Sequence, residues 1–106
     1  MKTRHAVLLI ESPTPPTVEV DWEALAVYVR FRRSKVAKTI ARPSSRGVVT
    51  VDLDRTGRVV GVEAIGETRI EIGRILKQAA VKAPNVDFSR VRYMRPAAYE
   101  EMEAVA

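Results

Sequence analysis

Cysteine is absent from the chain, which excludes a disulfide framework, a thiolate nucleophile and a zinc–thiolate site. Histidine occurs once, as His5, with no second histidine and no nearby nucleophile, so a metal or catalytic role has nothing to build on. No apolar run approaches the about 18 residues needed to span a bilayer. The N-terminal MKTRHAVLLIESPTPP imitates a secretory leader, because basic residues precede AVLLI. That run is shorter than a leader's apolar core, Glu11 ends it, and prolines follow where a small-residue cleavage site belongs. The reading is a cytoplasmic protein with no membrane contact. The glycines form no phosphate loop, and Ser34, Ser44, Ser45 and Ser89 have no base beside them. With no catalytic set in view, the expectation is a non-enzyme without cofactor or metal.

What is present suits one small folded domain. The 106 residues are 46% apolar and 29% charged, enough for a modest core without metal or disulfide support. The net charge of +5 allows contact with nucleic acid, an anionic surface or an acidic protein, and selects none of them. Residues 1–17 read as an arm ending in a Pro-rich connector, 18–65 as a β-meander, 68–83 as a helix and 84–106 as a C-terminal extension.

Taken in order, His5–Ile10 suits a short strand, and Ser12–Pro16 (SPTPP) an extended connector, since Pro lacks a donor and restricts its predecessor. Val18–Arg42 fits a helix capped by Asp21 or a pair of strands. The β-branched and aromatic run AVYVRF favours strands, with a turn at Arg32–Lys35 and a returning strand over Val36–Ala41. Thr68 with Glu71 forms a capping box ahead of a helical stripe of Ile72, Ile75, Leu76, Ala79, Ala80 and Ala83, and Pro84 stops it. A last strand is expected around Arg90–Met94, then a short terminal helix through Tyr99 and Met102.

The centre is the hairpin of Gly47–Ile65, GVVTVDLDRTGRVVGVEAI. Asp54 and Gly57 suit a type I turn with a bulge at the glycine. Regular pairing outward from that turn puts Val49, Val51, Leu53, Val59, Gly61, Glu63 and Ile65 on one face, and Val48, Thr50, Asp52, Val60, Val62 and Ala64 on the other. Both faces are then largely apolar. One helix covers one of them, so the second needs the N-terminal arm, the C-terminal tail or a second subunit, and a homodimer is expected. The fold class is α+β: an antiparallel β-meander of four to six strands with one helix packed on one face.

Two blocks carry a family resemblance. One is DWEALAVYVRF (Asp21–Phe31) followed by KVAKT (Lys35–Thr39); the other is VDLDRTGRVVGVEAI (Val51–Ile65). Together they resemble a family of small bacterial proteins known as domain of unknown function 2283, whose hairpin reads D-x-D-x-x-G-x-[IV]-[IV]-G-[IV]-E. Leu25 stands where that pattern has a second acid, and the loop at Pro43–Arg46 is longer and more basic. The resemblance implies strands throughout Val18–Ile65. It brings no agreed activity. Association of such proteins with gene pairs of the toxin–antitoxin kind implies a protein-binding role.

Three constellations remain. Asp52, Asp54, Thr56, Gly57 and Glu63 fall at positions 1, 3, 5, 6 and 12 of an EF-hand-like loop. Their flanks are strand-like rather than helical, and Arg55 and Arg58 repel a cation, so a turn is the better reading. Glu63, on the more apolar face, reads first as one half of a sheet-edge ion pair, and as the candidate for a salt bridge with a partner. The basic residues Arg30, Arg32, Arg33, Lys35, Lys38, Arg42 and Arg46 gather at one edge of a meander, with Tyr28 placed to stack on a base. The interaction edge is therefore Tyr28, Arg30, Arg32, Arg33, Lys35 and Lys38. The function expected is a protein-interaction module, homodimeric or bound to a second small protein, the regulatory or antitoxin-like member of a gene pair. The alternative is a nucleic-acid-binding regulator using Arg30–Lys38.

Overall fold

A computed structural model describes residues 6–44, 47–66 and 69–94. His5, Arg46, Thr68 of the capping box, and the terminal helix expected through Tyr99 and Met102 lie outside the described residues. The fold is α+β, a six-stranded, mostly antiparallel open sheet with one helix. In chain order the strands are β1 (Leu8–Leu9), β2 (Thr17–Asp21), β3 (Ala26–Arg30), β4 (Lys38–Arg42), β5 (Val48–Leu53) and β6 (Val59–Ile65). Helix α1 (Ile72–Ala79) follows, then β7 (Val81–Lys82), a single 3₁₀ turn at Phe88–Arg90, and β8 (Arg92–Met94). Among the described residues no helix is long and apolar enough to cross a membrane.

The strands run β4-β5-β6-β3-β2-β8 across the sheet, with β8 parallel to β2 and the other neighbours antiparallel. Val18–Arg42 is strand, not helix. Asp21 caps a turn instead: its Oδ1 accepts from the backbone N–H groups of Glu23 and Ala24 at 3.1 and 3.2 Å. The expected return of Val36–Ala41 onto its predecessor does not occur, because β5 and β6 lie between β3 and β4. Val27 and Val29 are fully buried, so β3 needs a neighbour on each side. The extended segment after it crosses the end of β6, where the Phe31 and Arg32 amides both donate to the Val60 carbonyl, at 2.8 and 3.2 Å.

That crossing sits on an irregularity that redistributes the hairpin faces. At the turn, the Asp54 amide donates to Arg58 (2.9 Å) and the Gly57 amide to Asp54 (3.0 Å), with Gly57 at φ 86°. Leu53 pairs with Val59, but Asp52 pairs with Gly61, leaving Val60 as an extra, buried residue. Such a bulge moves every later side chain to the opposite face. Val49, Val51 and Leu53 therefore share the helix-side face with Val59, Val62 and Ala64, and all six are buried. The other face takes Val48, Thr50, Asp52, Gly61, Glu63 and Ile65. The expectation of two apolar faces, and with it the argument for a homodimer, is corrected: one face is apolar and one is polar.

Ile75, Leu76 and Ala79 of α1 pack on that apolar face, and Ile10 of the arm, Val81 and Val86 join the same core. Burial of each large side chain contributes about 1.5–3 kcal/mol. The helix is shorter than the expected 68–83. It ends at Ala79 because Ala80 turns left-handed (φ 56°), which lets Val81 and Lys82 pair in parallel with Leu8 and Leu9. Arg42 leaves the basic cluster for a structural post, donating to the carbonyls of Ala79 (2.9 Å) and Ala6 (2.8 Å).

Asp54 is the buried carboxylate of the turn. Its Oδ1 accepts from the Thr56 hydroxyl (2.7 Å) and from the amides of Thr56 (2.9 Å) and Arg58 (3.0 Å). The Thr56 hydroxyl, aided by those amides and the Arg58 charge, lowers its pKa to about 2. A carboxyl held below its unfolded value, about 3.9, stabilises the fold above that value and loses the contribution as pH falls through the folded one. Acid unfolding should therefore show a component between about pH 4 and pH 2 that Asp54→Asn removes. Denaturant midpoints of the two proteins against pH check this. A constant difference across that window counts against it.

Candidate functional site

The polar sheet face carries a continuous chain of side-chain contacts. Thr39 on β4 donates its hydroxyl to Oδ1 of Asp52 on β5 (2.6 Å). Tyr28 on β3 donates its phenol to Oδ2 of the same carboxylate (2.8 Å), although β6 lies between them. It can do so because β6 presents Gly61 there: a Cβ on Gly61 would lie 2.5 Å from both Cζ and Oη of Tyr28. The ring thus fills the place of the missing side chain. Arg30 covers the ring, its guanidinium carbon 4.8 Å from the centroid. Through Nε (3.2 Å) and Nη2 (3.0 Å) it donates to Glu19 on β2. Two hydroxyls, two carboxylates, a ring and a guanidinium link four strands and pass over a fifth.

This network decides what the face can do. Burial and the hydrogen bond to Asp52 push the Tyr28 phenol well above its ordinary value, so it stays a protonated donor and a poor acid–base group at neutral pH. Nor does its ring offer a free stacking surface, since Gly61 and Arg30 occupy its surroundings. Asp52 and Asp54 serve separate networks, one across the sheet and one inside the turn. Among the described residues no group of three or more acidic or histidine side chains is placed to hold a metal.

Beside Tyr28 the face dips into a depression of about 280 Å³ lined by Glu19, Asp21, Ala26, Tyr28, Arg30 and Glu63. Glu63 is half-buried on β6, paired with Thr50 and Tyr28 across the ladders. Among the described residues no lysine or arginine lies within ion-pairing distance of it. Burial, and then the Asp52 charge, push its carboxyl above the ordinary value. A carboxyl raised in the fold contributes stability below its unfolded value, about 4.3, and loses it as pH rises through the folded value. Glu63→Gln should therefore match the parent at acidic pH and melt higher at neutral pH. Equal melting temperatures at pH 7 would mean that the ionised carboxylate is not penalised.

The residues expected along one basic edge do not form one. Tyr28 and Arg30 stand on β3, an interior strand, because β6 covers its other side. Lys38 lies on the true edge strand β4, and Lys35 near the Asp54 turn. Arg32 and Arg33 instead meet Arg30 and Arg92 in a groove at the end of β2, β3 and β8. Arg92 was not legible as a member, since only the parallel pairing of β8 with β2 brings it there. The roles of Gly61, Thr39 and Glu19 were also missed. The glycine inside the otherwise apolar strand run VVGV is the one local signal available, since a missing side chain within a strand leaves room for a neighbour. Comparisons of the chain with models of protein families, with characterised proteins and with solved structures return no match.

Proposed function

We propose that the chain is a cytoplasmic, non-enzymatic protein-interaction module that holds a lysine or arginine of a second small protein in the depression beside Glu63. The observation that carries this reading is a half-buried carboxylate with no cation beside it among the described residues, next to a network already fixed in place. An unpaired buried charge is costly, and a partner's cation removes that cost on binding. Glu19 and Asp21 add negative charge around the same depression, and Val48 (51% exposed), Ile65 (38%) and Trp22 (55%) supply apolar contact nearby.

A second copy of the chain suits this face less well. An isologous dimer sets each patch against itself. It would oppose Glu19, Asp21, Asp52 and Glu63 to the same four carboxylates, with Arg30 and Arg92 the opposing charges among the described strand residues of that face. The same acidic surplus disfavours nucleic acid here. The resemblance to the domain of unknown function 2283 family supports a partner encoded beside this chain, with this protein as the regulatory or antitoxin-like member of the pair.

Glu63→Lys tests the reading, because it supplies the missing cation from within. The variant should fold, keep the parent's sedimentation behaviour, and lose a specific small protein that the tagged parent retains. Arg55→Glu, in the exposed turn, should retain it. Equal capture by the parent and Glu63→Lys would exclude the depression as the contact.

A further inference from the structure

We propose that the groove at the end of β2, β3 and β8 is a phosphate-binding site, distinct from the acidic depression although Arg30 borders both. It encloses about 410 Å³ and is lined by Arg30, Arg32, Arg33 and Arg92, the hydroxyl residues Ser12, Thr14 and Thr17, and Pro15 and Phe31. No carboxylate lines it. Four guanidinium groups around one groove repel each other, and that arrangement suits an anion between them. Arg30 is held by Glu19 at the wall. Among the described residues Arg32, Arg33 and Arg92 have no ion-pair partner. Planar guanidinium forks match the oxygen geometry of phosphate.

The opposite rim is preorganised. Ser12, Pro13, Thr14, Pro15 and Pro16 form the stiff connector, and Pro16 is fully buried. Within it the Ser12 hydroxyl donates to the Thr14 hydroxyl (3.1 Å) and accepts from the Thr14 amide (3.2 Å). Three prolines in five residues leave little chain entropy to lose on binding, so hydroxyl donors are presented to the groove at low cost. The proline-rich stretch thus gains a role beyond connection. Groove size suits one or two phosphate groups, with the rest of the ligand outside. Those groups come either from a free phosphate compound or from the backbone of a single nucleic-acid strand, and the chemistry at the groove is the same.

The test is titration of the full chain, in about 50 mM salt, with sodium pyrophosphate by calorimetry and with a labelled single-stranded oligonucleotide of about twelve nucleotides by anisotropy. The variant Arg33→Gln/Arg92→Gln removes two exposed guanidinium groups from the groove. Lys35→Gln/Lys38→Gln removes the same net charge from exposed positions outside it. The groove variant should weaken binding by at least about tenfold, and the control by less than about twofold. Both should keep the parent's melting temperature. Pyrophosphate binding equal to or tighter than oligonucleotide binding names a free phosphate compound as the source; the reverse names nucleic acid. Absence of binding by both probes, or equal losses in the two variants, overturns the proposal.

Discussion

Gly47→Ala should cost about 2–5 kcal/mol, from about 1–2 for a left-handed residue with a Cβ and about 1–3 for overpacking. Gly47 has φ 59° at the start of β5, and a Cβ there would run into the Ile65 carbonyl oxygen and lie 2.9 Å from the carbonyl carbon. Both obstacles are backbone, so no rotamer change relieves them. The strand ends would have to part where Val48 pairs with Ile65. The urea midpoint should fall with an unchanged m value, as for a native-state defect. Parent-like stability would mean that the two strands do not close as tightly as this geometry requires.

Gly61→Val should produce the second large effect, and the one that speaks to the site. The new side chain needs the volume that the Tyr28 ring occupies. The ring must leave, breaking its hydrogen bond to Asp52 and its contact with Arg30. Overpacking of this kind costs about 1–3 kcal/mol. Tyr28→Ala alone loses the hydrogen bond and the cation–π contact, together about 1–2 kcal/mol. In the double variant the clash is gone and valine suits a strand better than glycine. The two losses should therefore fall short of additivity by about 1 kcal/mol or more. Strict additivity would show that ring and glycine do not share one space.

These two glycines mark where the fold was legible in sequence and where it was not. The Asp54–Gly57 turn, the strand character of AVYVRF and the existence of a helix before Pro84 all follow from local chemistry, and local chemistry is what a sequence displays directly. The bulge does not. Val59-Val60 reads as two ordinary strand residues, and only the sheet context decides that one of them is left unpaired. That one residue moved Glu63 from an apolar face to a polar one and removed the reason for a second cover. The left-handed Ala80 is equally silent, since QAAVKA favours continued helix until Leu8 and Leu9 claim Val81 and Lys82 as partners. Strand order is a long-range property, and it separated the basic residues: Arg30 went to the sheet interior, Arg42 to the helix end and Arg32 and Arg33 to Arg92. Glu63 was legible as a residue to watch, but the network beside it was not, because Thr39, Asp52, Gly61, Tyr28 and Glu19 come from five strands.

The carboxyl carbon shift of Glu63, followed by NMR against pH in the free chain, tests the central claim most directly. A desolvated carboxylate that lacks a cation should titrate above the ordinary glutamate value, about 4.3. Binding of the partner should then bring that midpoint down. A midpoint at or below the ordinary value in the free chain would contradict the account, because Glu63 would already have its cation and would hold no place open for another.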